Sequence, residues 1–403
     1  MSKIITYKEK IHEILTRGVA NIYPSREALE KILLSGKKLR IYNGIDPTGK
    51  LHIGHAVVLK KLRQFQDLGH EVIVLIGDFT ARIGDPTDKL ATRKKLTKEE
   101  VKRNSSDYKK LIGKIVDLKK RPKVRFLHNE KWTNKLKPVD MLELASYFTV
   151  ARLLERDMFQ NRLREGKEIY VHEFLYPIFQ AYDSITMDVD MEIGGNDQTF
   201  NMLAGRTLLK KLKNKEKFVL TTKLLTDPGG KKIGKTEGNM INLDETAGNM
   251  YGKIMSIPDS LIIDYFTLCT WVSNEEIKKI KHALDTHAVN PRDVKMRLAK
   301  EIVALYHGKN KAKQAERTFV KVFQKHELPE IIPEVKLETW PNTLAQALVA
   351  TKLAASMNDA RKTIAQGGVK IDGLVEKNPN APLPQKPGMI LSRGKRLFCR
   401  IKE

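Results

Sequence analysis

Apolar residues Ile11, Ile14, Leu15 and Val19 recur at helical spacing near the start of the chain, so residues 1–35 read as helical, with a first strand over 39–45. Val72-Ile73-Val74-Leu75-Ile76-Gly77 is a continuous apolar run ending in glycine, the pattern of a parallel strand buried on both faces. Strands alternate with helical stretches to about residue 225, which predicts an α/β architecture with a doubly wound parallel sheet and ligands at the carboxyl ends of its strands. Between them, 89–123 is a basic and polar helical region, most of it solvated surface. Residues 138–154 carry Met141, Leu142, Leu144, Ala145, Phe148, Val150 and Leu153, enough to bury one helix face.

From about 249 to 326 no strand pattern intrudes, and Pro291-Arg292-Asp293 opens a helix with charge in the favourable order, so 241–326 reads as a separate helical domain. Its lysines and arginines suit an RNA backbone or plain surface equally. Residues 327–340 hold Pro329 and Pro333 with little helical period and read as a linker. Beyond it, 341–403 shows two short helices, a Gly367-Gly368 stop, then strands at Val369–Ile371 and near 397–401. This last segment has eleven basic residues against four acidic.

Composition narrows the function classes. The whole chain has 403 residues, 73 basic against 48 acidic, for a formal charge of +25, which attracts polyanions such as nucleic acid. A lysine-rich proteome produces a similar bias, and salt dependence separates the two. Two cysteines, Cys269 and Cys399, are far apart, which argues against a disulfide framework and fits a reducing cytosol. Charges interrupt the N-terminal ten residues where a signal peptide needs an apolar core, and no stretch approaches the roughly 18 apolar residues of a membrane span. The expectation is a cytoplasmic, soluble protein without a membrane partner.

Candidate chemistry begins behind the first strand. Ile41-Tyr42-Asn43-Gly44-Ile45-Asp46-Pro47-Thr48 runs through a turn into His52-Ile53-Gly54-His55. Two imidazoles three positions apart at a helix start share a face, where their N–H groups and unpaired backbone donors can hold negative charge on phosphate. Gly54 lets a flat base approach the backbone. Alone, these letters describe an ordinary helix start equally well. A second signal is Gly229-Gly230-Lys231-Lys232-Ile233-Gly234-Lys235-Thr236, a loop able to swing lysines over a phosphate chain. No helix-forming apolar run follows Thr236, so it is a poor P-loop, and by itself it is a solvated basic turn. Further on, Tyr176, Gln180 and Asp183 fall on one helical stripe flanked by Phe174, Leu175, Ile178 and Phe179, so three polar groups can point into an apolar pocket. A carboxylate such as Asp183, held ionised there, can accept a hydrogen bond from a phenol, and a site built to read a hydroxyl rejects the analogue lacking it.

Together, the early His-Ile-Gly-His, the later Lys-Ile-Gly-Lys-Thr, the Tyr-x3-Gln-x2-Asp stripe and the turn Gly194-Gly195-Asn196-Asp197-Gln198 occur in the order of the class I aminoacyl-tRNA synthetases. Over nearly its whole length the chain resembles the bacterial-type tyrosyl enzymes of that class. The resemblance implies a Rossmann-like catalytic domain over 1–240 with a dimer-forming insertion at about 120–165, an anticodon-side helical domain over 241–326, and a small α+β RNA-binding module over 341–403. That module resembles the one first named for ribosomal protein S-four. Carried over residue by residue, Tyr42 and Asp183 meet the phenol, while Asp85, Tyr176 and Gln180 meet the ammonium of L-tyrosine. Gln198 faces the activated carboxylate and Asp197 the ribose. Asp46 and Thr48 lie beside the adenylate; Gly54 belongs to its cradle; His52, His55, Lys232, Lys235 and Thr236 bind the pyrophosphate. The implied partners are L-tyrosine, ATP carrying Mg2+, tRNA(Tyr) and a second copy of the chain, with no dedicated metal site. Arg361, Lys362, Lys370, Arg393, Lys395 and Arg396 are the candidate RNA contacts. The departure is Lys-Ile-Gly-Lys-Thr for the commoner Lys-Met-Ser-Lys-Ser, which keeps both lysines.

Three rivals stay open at this point. A tryptophan enzyme would have an indole with one N–H and no acceptor, a poorer match to Tyr42 and Asp183. A nucleotidylyltransferase also uses His-x-Gly-His, and would be indifferent to loss of 341–403. An RNA-binding protein on a synthetase shell would have no reason to retain every site group.

Overall fold

The computed structural model describes residues 4–85, 96–227, 229–230, 240–324, 332–337, 339–394 and 397–402. Lys232, Lys235, Thr236, Lys395 and Arg396 therefore lie outside the described residues. The chain divides into two units, one comprising residues 1–245 and 257–306, the other 246–256 and 307–403. The helices expected as one domain over 241–326 are thus shared between the two.

The first unit is built on a six-stranded sheet, β1 (Val19–Tyr23), β2 (Arg40–Ile45), β3 (Glu71–Ile76), β4 (Arg125–His128), β5 (Met191–Gly195) and β6 (Phe218–Thr222), in spatial order β1-β6-β5-β2-β3-β4. β2 to β6 run parallel, and β1 is antiparallel to β6, so the sheet is mixed. β1 corrects the expectation of continuous helix over 1–35. The helix Lys8–Thr16 stops because Gly18 turns left-handed, at φ 66°, and Val19 with Ile22 and Tyr23 then suits a pleated edge. β3 is buried along almost all its length, and Tyr42, Ile73, Leu75, Val189 and Leu209 form one core cluster beneath the carboxyl ends of β2 and β3. Strand order reverses beside β2, which places a crevice between β2 and β5.

The second unit contains a five-stranded sheet in which β7 (Glu334–Lys336), β8 (Val369–Ile371), β9 (Leu374–Glu376), β10 (Ile390–Arg393) and β11 (Leu397–Lys402) lie in order β7-β11-β10-β8-β9. Helices Leu344–Ala350 and Met357–Ala365 pack on it through Leu344, Leu348, Ala360 and Ile364, matching the two-helix, glycine, strand pattern of the sequence. β7 falls where a linker was expected. Its three residues pair with β11, and Arg400 N–H donates to Pro333 O at 2.8 Å, so the prolines bound a short edge strand instead of interrupting all structure.

Candidate functional site

One cavity in the first unit takes in Tyr42, Asp46, Thr48, His52, Gly54, His55, Asp85, Tyr176, Gln180, Asp183, Asp197 and Gln198, which are all the described residues that the sequence assigned to nucleotide and amino acid. They converge because β2, β3 and β5 end there and the helices Ile53–Asp67 and Val171–Met187 begin or pass beside those ends. Asn43 Nδ2 donates to Ile193 O at 2.8 Å and holds β2 to β5 across the crevice. Leu225 and Met240, which flank the glycine-rich segment on either side, also line the cavity.

His52 is the cap of Ile53–Asp67. Its Nδ1 accepts from Gly54 N–H at 3.1 Å, and His55 Nδ1 accepts from His52 N–H at 3.2 Å, with the rings 4.0 Å apart. Both Nδ1 atoms act as acceptors, so in the neutral rings the proton sits on Nε2. The helix start differs from expectation in one respect. Ile53 N–H goes to Ile241 O, and His52, Gly54 and His55 N–H are also bonded within the protein, so the expected unpaired backbone donors are not available at this helix start. Gly54 has its own reason here: a Cβ would lie 2.9 Å from His52 Cε1, so any larger residue would push against the histidine cap.

The amino-acid side is more buried. Asp183 is 2 % exposed, with Oδ1 accepting from Trp132 Nε1 at 2.7 Å and Oδ2 from Asn129 Nδ2 at 3.2 Å. Burial pushes its carboxyl up to about 8, against the two hydrogen bonds that favour the anion. This corrects the expectation of a carboxylate simply held ionised. Tyr176 donates to Asp46 Oδ2 at 2.8 Å and Thr80 Oγ1 to Asp46 Oδ1 at 2.6 Å, while Gln198 Nε2 donates to Asp85 Oδ2 at 2.7 Å. Gly77 leaves room for this cluster, since a Cβ there would lie 2.0 Å from Asp46 Oδ1.

Sequence reasoning missed Asn129, Trp132, Thr80 and Arg156. Arg156 Nη2 lies 3.5 Å from Asp85 Oδ1, almost fully buried, with its guanidinium over Phe159 and Phe200. A usable signal existed for Asn129 and Trp132: both follow β4, and β4 is parallel to β3, so its carboxyl end opens on the same crevice. Trp132→Phe keeps the ring and removes the N–H. We expect about a tenfold rise in the KM of the hydroxyl-bearing substrate with the nucleotide KM unchanged, measured in pyrophosphate exchange.

Of the candidate RNA contacts, Arg361, Lys362 and Lys370 are exposed. Arg393 also has a structural contact: its two terminal nitrogens meet Asp359 at 2.8 and 2.7 Å, and one also meets Leu353 O at 2.8 Å, clamping the helix Met357–Ala365 to β10. Among the described residues no helix is long and apolar enough to cross a membrane.

A parallel crevice with an imidazole pair at one helix start and a buried carboxylate on another is the arrangement of a nucleotide-dependent activating enzyme, and the family tRNA synthetases class I (W and Y) matches residues 34–324. The chain belongs to that family. Relatives narrow it further: the tyrosine–tRNA ligase of Moorella thermoacetica is 44% identical over 393 residues, covering 96% of this chain and 94% of the relative. That of Thermotoga maritima is 44% identical over 399 residues, covering 98% of each. Among solved structures, a C-terminally truncated mitochondrial tyrosyl-tRNA synthetase of Coccidioides posadasii is 26% identical with a TM-score of 0.62, covering 77% of this chain and 91% of its own.

Proposed function

We propose that the chain is a tyrosine–tRNA ligase. The observation that carries this reading is Asp183, buried and held by Trp132 and Asn129 in the same cavity as Tyr42 and the imidazole pair. One cavity then offers a phenol acceptor, a phenol donor and phosphate donors. ATP enters with Mg2+ as part of the substrate, since that ion keeps much of its water and needs few protein ligands. A tyrosine carboxylate oxygen attacks the α-phosphorus in line, the bond to the β-phosphate oxygen breaks, and pyrophosphate leaves. The terminal ribose hydroxyl of tRNA(Tyr) next attacks the acyl carbon and AMP leaves. No protein nucleophile is required, and catalysis consists of positioning and charge stabilisation.

In this reading Tyr42 and Asp183 grip the phenol; Asp85, Tyr176 and Gln180 receive the ammonium; Gln198 faces the carboxylate, Asp197 the ribose, and Asp46 and Thr48 the adenylate. His52 and His55 with Lys232, Lys235 and Thr236 take the pyrophosphate. Exposed Arg361, Lys362 and Lys370, in a segment of strong positive charge, support the RNA role. Val139, Leu142 and Val150 are 64%, 72% and 66% exposed, large apolar side chains open to solvent whose presence supports a homodimer through the insertion. Two buried free thiols suit a cytoplasmic setting.

The test is ATP–pyrophosphate exchange on the purified protein without tRNA, run with tyrosine, phenylalanine and tryptophan. Exchange with tyrosine alone is the expected outcome. Exchange with tryptophan would identify the other branch of the family, and none with any of the three would overturn the assignment.

A further inference from the structure

At the wall of the cavity lies a buried ion pair, Glu192 in the lining and Lys217 behind it, that the reaction itself does not call upon. Lys217 is wholly buried and Glu192 is 2 % exposed. The lysine ammonium spends its three hydrogens on Glu192 Oε2, on Ser184 Oγ at 2.8 Å and on Met202 O at 3.2 Å. Space for this cluster is reserved in the helix Thr199–Lys213 by Gly205, where a Cβ would stand 2.5 Å from Lys217 Nζ and 2.7 Å from Ser184 Oγ. Glycine is unfavourable in a helix interior, so it is retained here for the room it leaves.

Each partner of the pair reaches one substrate-reading side chain. Ser184 Oγ is 3.0 Å from Tyr42 Oη, and Glu192 Oε1 accepts from Gln180 Nε2 at 2.9 Å. These contacts have a direction. Ser184 Oγ accepts from Lys217, which only donates, and Tyr42 Oη is the acceptor within reach of the Ser184 hydrogen, so that hydrogen is assigned to Tyr42 Oη and the Tyr42 hydrogen to the cavity. An ionised carboxylate only accepts, so Glu192 fixes the Gln180 amide with nitrogen inward and leaves its carbonyl oxygen for the cavity as an acceptor.

Resting on the tyrosine reading above, we propose that Glu192–Lys217 is a positioning pair that sets the hydrogen-bond polarity of the amino-acid pocket, making Tyr42 a donor to the phenol oxygen and Gln180 an acceptor for the ammonium. Lys217 lies outside the cavity lining, and Glu192 borders the cavity beside Gln180, so the pair acts through Ser184 and Gln180. The pair thereby divides its work by substrate group, phenol through Ser184 and ammonium through Glu192.

The experiment uses Ser184→Ala and Glu192→Gln in the full chain, with two probes that each lack one group: phenylalanine, without the hydroxyl, and 3-(4-hydroxyphenyl)propionate, without the amine. Tyrosine KM in pyrophosphate exchange is expected to rise about tenfold in both variants, with ATP KM within about twofold of the parent. The probes cross over. Ser184→Ala weakens inhibition by the propionate and leaves phenylalanine unchanged, so tyrosine-over-phenylalanine discrimination drops by about the same factor. Glu192→Gln weakens phenylalanine and leaves the propionate unchanged. Ser184→Ala keeps the ion pair, so it carries the test by itself if Glu192→Gln melts early. Equal loss for every ligand, or no change in a variant with the parent's melting temperature, would overturn the inference. Absence of tyrosine exchange in the parent would instead sink the functional reading on which it rests.

Discussion

Asp183→Asn is expected to lower kcat/KM for tyrosine by about a thousandfold in pyrophosphate exchange, with ATP KM within about twofold of the parent. The carboxylate is an acceptor only, so it can take the phenolic hydrogen while Trp132 and Asn129 occupy its other lone pairs. An amide in its place turns an N–H toward a neighbour that also donates, and the site loses the feature that distinguishes tyrosine from phenylalanine. Phenylalanine binding, which never used the acceptor, should change far less. The parent's pH profile follows from burial, which pushes the Asp183 carboxyl up to about 8. Below that pH the group is protonated in the open pocket and tyrosine must compete with the proton. Hence kcat/KM for tyrosine should climb from pH 6 and flatten above about pH 8, while the variant's residual activity shows no such rise.

Stability has the opposite dependence. The folded carboxyl binds its proton more tightly than the unfolded one, whose ordinary value is 3.8, so its contribution is fully present below that value and is lost as pH rises through about 8. Asparagine does not titrate. The melting temperature of Asp183→Asn minus that of the parent should therefore increase from pH 5 and level off above about pH 8. A constant difference would show that the carboxyl titrates in the ordinary range in both states.

How much of this was legible in the sequence depends on whether a residue's role is local. The stripe Tyr176, Gln180 and Asp183 was readable because helical spacing fixes a face, and β3 because an unbroken apolar run has one explanation in a parallel sheet. β1 was hidden by its neighbours, since Ile11, Ile14, Leu15 and Val19 keep helical spacing across a left-handed Gly18 that ends the helix. β7 was hidden by its prolines and by a partner more than sixty residues away. Lys217 is the clearest case: it closes the polar run Lys213-Asn214-Lys215-Glu216-Lys217, and nothing in those letters marks the last lysine as wholly buried. Its partners Ser184, Glu192 and Met202 come from other elements, so only the tertiary arrangement could show it. Trp132 and Asn129 fall between these limits. Their place after a strand pointed to the crevice, but their partner on a distant helix was not written locally.

The imidazole pair makes a sharper prediction, because each nitrogen of His52 has a different duty. Nδ1 accepts from Gly54 N–H and caps the helix, while in the proposed function Nε2 carries the proton offered to the departing phosphates. Asparagine places an acceptor near the Nδ1 position and has no atom at Nε2; glutamine reaches the Nε2 position and gives up the short cap. His52→Asn should therefore melt close to the parent and lose about a hundredfold or more in kcat, with tyrosine KM unchanged, since a donor to developing charge acts on the transition state. His52→Gln should keep most of kcat and cost about 1 kcal/mol at the helix start. The two measurements, exchange rate and urea midpoint, should thus rank the variants in opposite orders. If asparagine proved the faster enzyme, the histidine would be working mainly as a cap, and stabilisation of the phosphates would pass to His55 and the lysines of the glycine-rich loop.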